Sequence, residues 1–136
     1  MSRRSAREAA MKLLYEYSIT DILSKDTIEE APDVLEADTL DEDNMRYIDG
    51  IVEQFVDKRE EIDGIISENS HSWKIERIAK VDLAILRLAL FEIIYLGTPA
   101  KVTVNEAVEL AKKYSADKSY KYINGLLGGY LKKGEA

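Results

Sequence analysis

The sequence of 136 residues contains no cysteine, only two prolines, one histidine and one tryptophan. Without cysteine the chain has no disulfide framework, no thiol nucleophile and no cysteine-based zinc site, a composition that suits a reducing compartment. Glycine-rich nucleotide-binding motifs and the paired histidines of zinc hydrolases are missing as well. The sequence therefore favours a non-enzymatic protein, with no catalytic residues, no cofactor and no metal.

The sequence also lacks an apolar run long enough to cross a bilayer. The most apolar stretch, residues 83–96, is interrupted by Arg87 and Glu92 and falls short of the roughly 20 residues that a spanning helix needs. The charged N-terminal segment is broken by Glu8 and has no apolar core of a secretory signal. We expect a cytoplasmic protein with no membrane partner and a buried helix over residues 83–96.

Charge is distributed unevenly along the chain, whose formal net charge of −7 by itself argues against nucleic acid as a partner. Residues 1–20 hold four basic and two acidic side chains, and residues 21–70 hold four basic and seventeen acidic ones. Residues 71–136 hold eleven basic and seven acidic side chains. Both ends are therefore basic and the middle is acidic, which allows an anion-binding face beside an acidic face.

Apolar residues recur at the spacing of an amphipathic helix in three places. The stripes are Ala10, Leu13, Leu14 and Tyr17; Ile48, Ile51, Val52 and Phe55; and Ile123, Leu126, Leu127 and Tyr130. The second stripe resumes at Ile62 after Lys58 and Arg59, so residues 41–69 are interpreted as two helices that meet at a kink. A short helix is expected over residues 24–40. No convincing strand is found, and the sequence predicts an all-α protein.

Helix starts are predicted from capping boxes, in which a hydroxyl and a carboxylate three residues apart satisfy free backbone N–H groups. The matches are Ser5 with Glu8, Thr39 with Glu42, and Thr103 with Glu106. The acidic residues 41–43 have two interpretations, a Mg²⁺ site or acids that complement the dipole of a helix start, and the second is favoured. His71 is expected to be a surface loop residue and not a general base.

Two clusters combine cations with aromatic rings at predicted helix starts. The first contains Arg3, Arg4, Arg7 and Lys12, followed by Tyr15, and the second contains Lys118, Ser119, Tyr120, Lys121 and Tyr122. Arginine forks and helix N-termini suit phosphates, and aromatic faces suit unstacked bases. Composition alone leaves two interpretations open: a nucleic-acid-binding surface, or solvated basic residues beside tyrosines that pack in the fold.

Three blocks of the sequence resemble the NusB family of transcription antitermination proteins. They are RRSAREAA at residues 3–10 with Leu14-Tyr15, IAKVDLAILRLALFE at residues 78–92, and VNEAVELAK with KYINGLL over residues 104–127. The resemblance implies one domain over residues 1–136, with helical halves at about 1–70 and 71–136. It also implies about seven helices in two packed bundles and a non-enzymatic RNA-binding role.

The resemblance further implies partners and contact residues. NusB-like proteins pair with the small-subunit ribosomal protein NusE. The pair binds single-stranded boxA RNA of ribosomal RNA leader transcripts and helps to assemble an antitermination complex on RNA polymerase. Matching positions assign RNA contact to Arg3, Arg4, Arg7, Tyr15, Ser119 and Tyr122, and charge alone adds Lys118. Glu76 and Asp82 match positions that meet the ribosomal protein, and a helix N-cap is a second role for Asp82.

The sequence departs from the family pattern at one position and leaves an alternative function open. Ser5 stands where other family members have a basic residue, which predicts weaker phosphate attraction and a larger dependence on the partner protein. The alternative function is a protein-interaction scaffold that holds a basic partner through its acidic surface without contacting RNA. The sequence also leaves open whether the free protein is a monomer or a homodimer.

Overall fold

The computed structural model describes residues 2–24 and 41–134, and within these ranges the chain forms five α-helices and one short 3₁₀-helix. The helices are α1 (Arg3–Thr20), α2 (Glu42–Asn69), α3 (Lys80–Tyr95), α4 (Ala100–Tyr114) and α5 (Ser119–Gly134), with the 3₁₀-helix Ile75–Arg77 between α2 and α3. No strand occurs in these ranges, and the all-α prediction is confirmed. The resemblance implied about seven helices, and the described ranges contain fewer. The short helix predicted over residues 24–40 lies, apart from its first residue, outside the described residues.

Helix α3 forms the centre of the fold. Its residues 82–92 are all buried, because α1, α2, α4 and α5 each pack against it. Phe91 of α3 meets Phe55 of α2 with ring centroids 6.3 Å apart, and neither ring is exposed. The prediction of a buried helix is confirmed for residues 83–92, whereas residues 93–95 are half-buried and Leu96 is exposed after the end of the helix. Within the described part of the chain, no helix is both long and apolar enough to cross a membrane.

The three predicted apolar stripes face this core, and only Val52 and Tyr130 among their residues are half-buried instead of buried. The prediction of two helices over this stripe is wrong, because α2 is a single helix from Glu42 to Asn69. Ile62 lies seven positions after Phe55, which is close to two helical turns, so one continuous helix keeps both on the same face. Of the charged residues between them, Asp57, Glu60 and Glu61 are exposed and Lys58 and Arg59 are half-buried.

Two of the predicted capping boxes are wrong. Helix α1 begins earlier, with Ser2 as the N-cap, whose Oγ accepts a hydrogen bond from the Ser5 N–H at 3.1 Å. Thr103 lies one turn inside α4, where its side chain is buried. A hydroxyl and a carboxylate three residues apart also occur inside helices, so the pattern alone does not mark a start. The third box includes Thr39, which lies outside the described residues.

The N-cap of α2 is Asp41, whose Oδ1 accepts a hydrogen bond from the Asn44 N–H at 2.8 Å. This hydrogen bond lowers the pKa of the Asp41 carboxyl. The next two acids, Glu42 and Asp43, both pair with Arg46. The interpretation of residues 41–43 as acids at a helix start is therefore confirmed.

Candidate nucleic-acid interface

The three arginines at the start of α1, here called the arginine cluster (Arg3, Arg4 and Arg7), all have partners in the fold. Arg3 Nε donates to Asn44 Oδ1 at 2.8 Å, and its guanidinium lies 4.5 Å from the centre of the Tyr47 ring. Arg4 donates two hydrogen bonds to Glu106 of α4, at 3.2 and 3.0 Å. These bonds raise the pKa of Arg4, although 71% of its side chain is exposed.

Arg7 points inward and is only 6% exposed. Its Nε and a terminal nitrogen donate to the two carboxylate oxygens of Glu92 at 2.7 and 2.8 Å, and the Tyr47 hydroxyl donates to the same carboxylate at 3.0 Å. Burial lowers the pKa of Arg7, but the hydrogen bonds and charge of Glu92 outweigh it, so the net shift is upward. Burial and the Glu92 charge raise the pKa of Tyr47. Arg7 thus joins α1 to the central helix and keeps its charge.

The outer face of α1 meets the last turns of α4. The Glu8 carboxylate accepts hydrogen bonds from Lys113 Nζ at 3.1 Å and from the Tyr114 hydroxyl. Lys12 Nζ lies 5.2 Å from the centre of the Tyr114 ring. Tyr15 lies one turn further along α1 and is exposed. Cations and aromatic rings therefore alternate across the junction of the two helices.

The same alternation continues from α4 to α5. Lys112 Nζ lies 5.1 Å from the centre of the Tyr120 ring, and Lys121 Nζ lies 6.0 Å from it. We call the lysines and tyrosines of both junctions the lysine–tyrosine strip, which contains Lys12, Lys112, Lys113, Tyr114, Tyr120 and Lys121. The strip follows the junctions of α1 with α4 and of α4 with α5, and the carboxylates of Glu8 and Glu109 pair with its lysines.

A groove of about 390 Å³ opens at the start of α5. We call it the aromatic groove, and the lining residues that concern the site are Trp73, Arg77, Asp82, Lys118, Ser119 and Tyr122. Its walls come from the loop after α2, the 3₁₀-helix, the first turn of α3 and the start of α5. Three of the residues expected to contact RNA and one expected to contact the ribosomal protein therefore share a single groove.

A chain of hydrogen bonds holds two walls of the aromatic groove together. The Tyr122 hydroxyl lies 2.6 Å from Ser70 Oγ, which donates to the Trp73 carbonyl at 2.6 Å. Because the Ser70 hydroxyl has one proton and directs it to the carbonyl, Tyr122 is the donor to Ser70. Partial burial raises the pKa of Tyr122. The loop that carries Trp73 is thus tied to α5.

Asp82 lies at the floor of the groove and is 7% exposed. Its Oδ1 accepts a hydrogen bond from Ser115 Oγ at 2.5 Å, and the hydroxyls of Ser115 and Ser119 are hydrogen-bonded at 2.9 Å. The N-cap of α3 is Ala79, so the N-cap role considered for Asp82 is wrong, and Asp82 stands in the first turn instead. Glu76, the other residue expected to meet the ribosomal protein, is exposed on the 3₁₀-helix.

Comparison with known proteins decides the family. The sequence matches the NusB family over residues 4–132. The chain belongs to the NusB family. It is 47% identical to the transcription antitermination protein NusB of Acetivibrio thermocellus over 97% of this chain and 90% of that one. It is 41% identical to the NusB protein of Finegoldia magna over 99% of this chain and 97% of that one.

Solved NusB structures share the fold. A NusB structure from T. maritima superposes with a TM-score of 0.83 at 29% identity, covering 98% of this chain and 92% of that one. A crystal structure of the antitermination factors NusB and NusE in complex with dsRNA gives a TM-score of 0.81 at 29% identity and covers 96% of each chain. NusB proteins are antitermination factors and not enzymes, in agreement with the non-enzymatic protein expected from the sequence.

In this NusB-family chain, sequence reasoning missed two residues of the aromatic groove. Trp73 is 54% exposed, and Arg77 is exposed on the 3₁₀-helix. Within residues 2–24 and 41–134, neither Arg77 nor Lys118 has an ion-pair partner. The signal available in the sequence was a tryptophan in a polar stretch between two helices, next to His71, which is exposed as predicted.

Proposed function

We propose that this protein acts in transcription antitermination by binding boxA RNA of ribosomal RNA leader transcripts together with NusE. In this role it helps to assemble an antitermination complex on RNA polymerase in the cytoplasm. The observation that carries the proposal is that cations and aromatic rings follow the helix junctions from the arginine cluster, through the lysine–tyrosine strip, to the start of α5 at the aromatic groove. Phosphates require cations, and unstacked bases require aromatic faces, so this surface suits single-stranded RNA.

The members of the arginine cluster have different roles in this proposal. Arg3 and Arg4 contact phosphates, because both side chains are exposed even though each is hydrogen-bonded to a side chain of the fold. Arg7 acts through position, because its buried pair with Glu92 fixes the first turns of α1 against α3.

The second group of RNA contacts comes from Tyr15 and from the start of α5. Tyr15 and Tyr122 offer ring faces to bases, and Lys118 offers an unpaired ammonium to a phosphate. Ser119, whose hydroxyl lies in the aromatic groove, is a hydrogen-bond partner for the sugar or phosphate. RNA bound along this path touches three helices.

The contact with NusE is assigned to Glu76 and Asp82. Glu76 is exposed and is the direct contact for a basic protein, since charge complementarity steers such partners together. Asp82 is buried at the floor of the groove against Ser115, so it supports this contact by fixing the first turn of α3 and does not meet the cations of the partner directly. The related complex holds NusB and NusE with dsRNA, which supports this pairing of partners.

The test is RNA binding by the full chain with and without NusE, at two salt concentrations, using single-stranded boxA RNA and its duplex. We expect tight binding of the single strand when NusE is present. Contact with about four phosphates predicts a log–log salt slope near −3, at about −0.7 per phosphate. A slope near zero, or equal binding of an RNA without boxA, would contradict the proposal.

Two charge-reversal variants, compared with each other, test where the RNA binds. Arg3→Glu/Arg4→Glu should abolish RNA binding. The matched control, Lys132→Glu/Lys133→Glu, makes the same change in net charge at the other end of α5 and should bind nearly as the natural protein does.

The second candidate function is a scaffold that binds a basic partner without RNA. It is favoured by the outer face of α2, where Glu53, Asp57 and Glu60 are exposed. If this candidate is right, NusE binds to the Arg3→Glu/Arg4→Glu variant and no RNA binds to any form of the complex. RNA binding that is lost in this variant while NusE binding survives would favour the RNA-binding function.

A further inference from the structure

Trp73 and Arg77 form a wall of the aromatic groove to which the proposed function assigns no contact. We propose that the aromatic groove binds one unstacked nucleotide of the RNA, with its base on the Trp73 ring and its phosphate between Arg77 and Lys118. This inference rests on the proposed function, because it names further contacts of the same RNA. It adds a site at the end of the surface that begins at the arginine cluster.

The exposure of Trp73 is the first argument. Phe55 and Phe91 are fully buried in the core and Tyr15 is 38% exposed, whereas Trp73 is 54% exposed. The indole ring is the largest aromatic face that a protein can offer to a base, and stacking does not depend on the identity of the base. An exposed tryptophan at the rim of a groove is therefore well suited to hold a base.

The fixed position of the Trp73 loop is the second argument. The Trp73 carbonyl accepts from Ser70, which in turn accepts from Tyr122. A segment held in this way loses little further freedom when a ligand binds, so less of the stacking energy is lost to ordering. The hydrogen-bond chain also fixes the position of the Trp73 backbone relative to Tyr122, the proposed base-stacking residue.

Charge decides between RNA and a protein as the occupant. Arg77 and Lys118 are exposed and have no ion-pair partner among the described residues, whereas Asp82 is buried and already accepts a hydrogen bond from Ser115. The accessible charges of the groove are therefore positive. They attract a phosphate and repel a basic ribosomal protein. The volume of about 390 Å³ lies in the range of clefts that hold small molecules.

The chain contains a built-in reporter for this site, because Trp73 is its only tryptophan. Unlabelled boxA RNA is titrated into the full chain, with NusE present and its own emission subtracted, and the tryptophan emission is corrected for absorption by the RNA. The anisotropy of a labelled copy of the same RNA is measured in parallel. We expect the emission to fall as the base stacks and to saturate at the same RNA concentration as the anisotropy.

Variants separate stacking from packing. Trp73→Ala should weaken RNA binding about 5- to 150-fold, the range for one stacked base, and Trp73→Phe should restore most of the loss. Arg77→Gln should reduce the magnitude of the log–log salt slope by about 0.7, while the matched control Lys132→Gln leaves it unchanged. Helicity and the unfolding midpoint should not change in any of them, because these side chains are exposed.

Three results would overturn the inference. If labelled RNA binds but the Trp73 emission stays constant and Trp73→Ala binds normally, the groove is not an RNA site, although the proposed function stands. If no RNA binds to the natural protein with NusE, the inference fails together with the proposed function. If the emission responds to NusE and not to RNA, the groove is a protein-docking surface.

Discussion

The arginine cluster and the aromatic groove differ in the state of their cations before any RNA arrives. Every arginine of the cluster already has a partner, and two of the partners are carboxylates, from Glu106 and Glu92. Arg77 and Lys118 in the groove have no such partner among the described residues. An arginine paired with a carboxylate must give up that carboxylate when it binds a phosphate. A cation without a carboxylate partner binds the phosphate without such a loss. The number of cations on a surface is thus a poor measure of its attraction for phosphate.

The two hydrogen-bonded carboxylate pairs of the arginine cluster differ from each other, and Arg7 also lies 4.0 Å from Glu106. The Arg7–Glu92 pair is buried, and Tyr47 adds a third hydrogen bond to it. The Arg4–Glu106 pair lies at the surface, where an ion pair contributes about 0–1 kcal/mol. The Arg7–Glu92 pair therefore stabilises the fold. The Arg4–Glu106 pair is easily broken, so Arg4 is available for a phosphate contact.

The largest expected effect concerns the buried pair. Glu92→Ala should lower the free energy of unfolding by about 3–5 kcal/mol, because it leaves the Arg7 guanidinium buried without its carboxylate. Urea unfolding followed by circular dichroism measures the loss. Glu106→Ala is the control and should change stability by about 1 kcal/mol at most. Equal losses in the two variants would show that burial does not distinguish the pairs.

The next effect concerns stacking in the groove. Tyr122→Ala should cost about 1–3 kcal/mol of boxA affinity if a base lies on the ring. Tyr122→Phe keeps the ring and removes only the hydroxyl bonded to Ser70, so its affinity should fall by less than that of the alanine variant. Fluorescence anisotropy with labelled RNA measures both. Unchanged affinity in the alanine variant, at unchanged helicity, would mean that Tyr122 only packs.

A smaller gain of affinity is expected when the exposed pair is opened. Glu106→Gln frees Arg4 for phosphate and should strengthen RNA binding about two- to fivefold, in line with the energy of a surface pair. The double variant Arg4→Gln/Glu106→Gln completes a double-mutant cycle. In the absence of Arg4, the substitution Glu106→Gln should no longer strengthen RNA binding. A gain that persists without Arg4 would trace the effect to the general charge of the surface.

The smallest expected difference is in salt dependence. Lys118→Gln should reduce the magnitude of the log–log salt slope by about 0.7, the contribution of one phosphate on a single strand. Arg4→Gln should reduce it by less, because Glu106 already neutralises part of that charge. RNA titrations at several salt concentrations measure the slope for each of the two variants. Identical slopes would remove the distinction between paired and unpaired cations.

Much of the helical fold could be predicted from local patterns. The apolar stripes and the buried segment around residues 83–92 follow from the spacing of neighbours along a helix, which is a local property. The same reasoning went wrong at Ser5 and Thr103, because a capping pattern of two residues is also met inside helices. It went wrong at the middle of α2, because charged residues on an outer face do not end a helix.

The sequence by itself determined the helical class, the resemblance to the NusB family and the supply of cations and aromatic rings at both ends. Only the tertiary structure decided which of these groups are available. Glu92 lies 85 positions from the Arg7 that it pairs with, and Ser70 lies 52 positions from Tyr122. No local periodicity encodes such pairings, because they depend on how α1, α2 and α5 pack around α3. Helix packing therefore buries Arg7 against Glu92 and brings Trp73 and Tyr122 into the same groove.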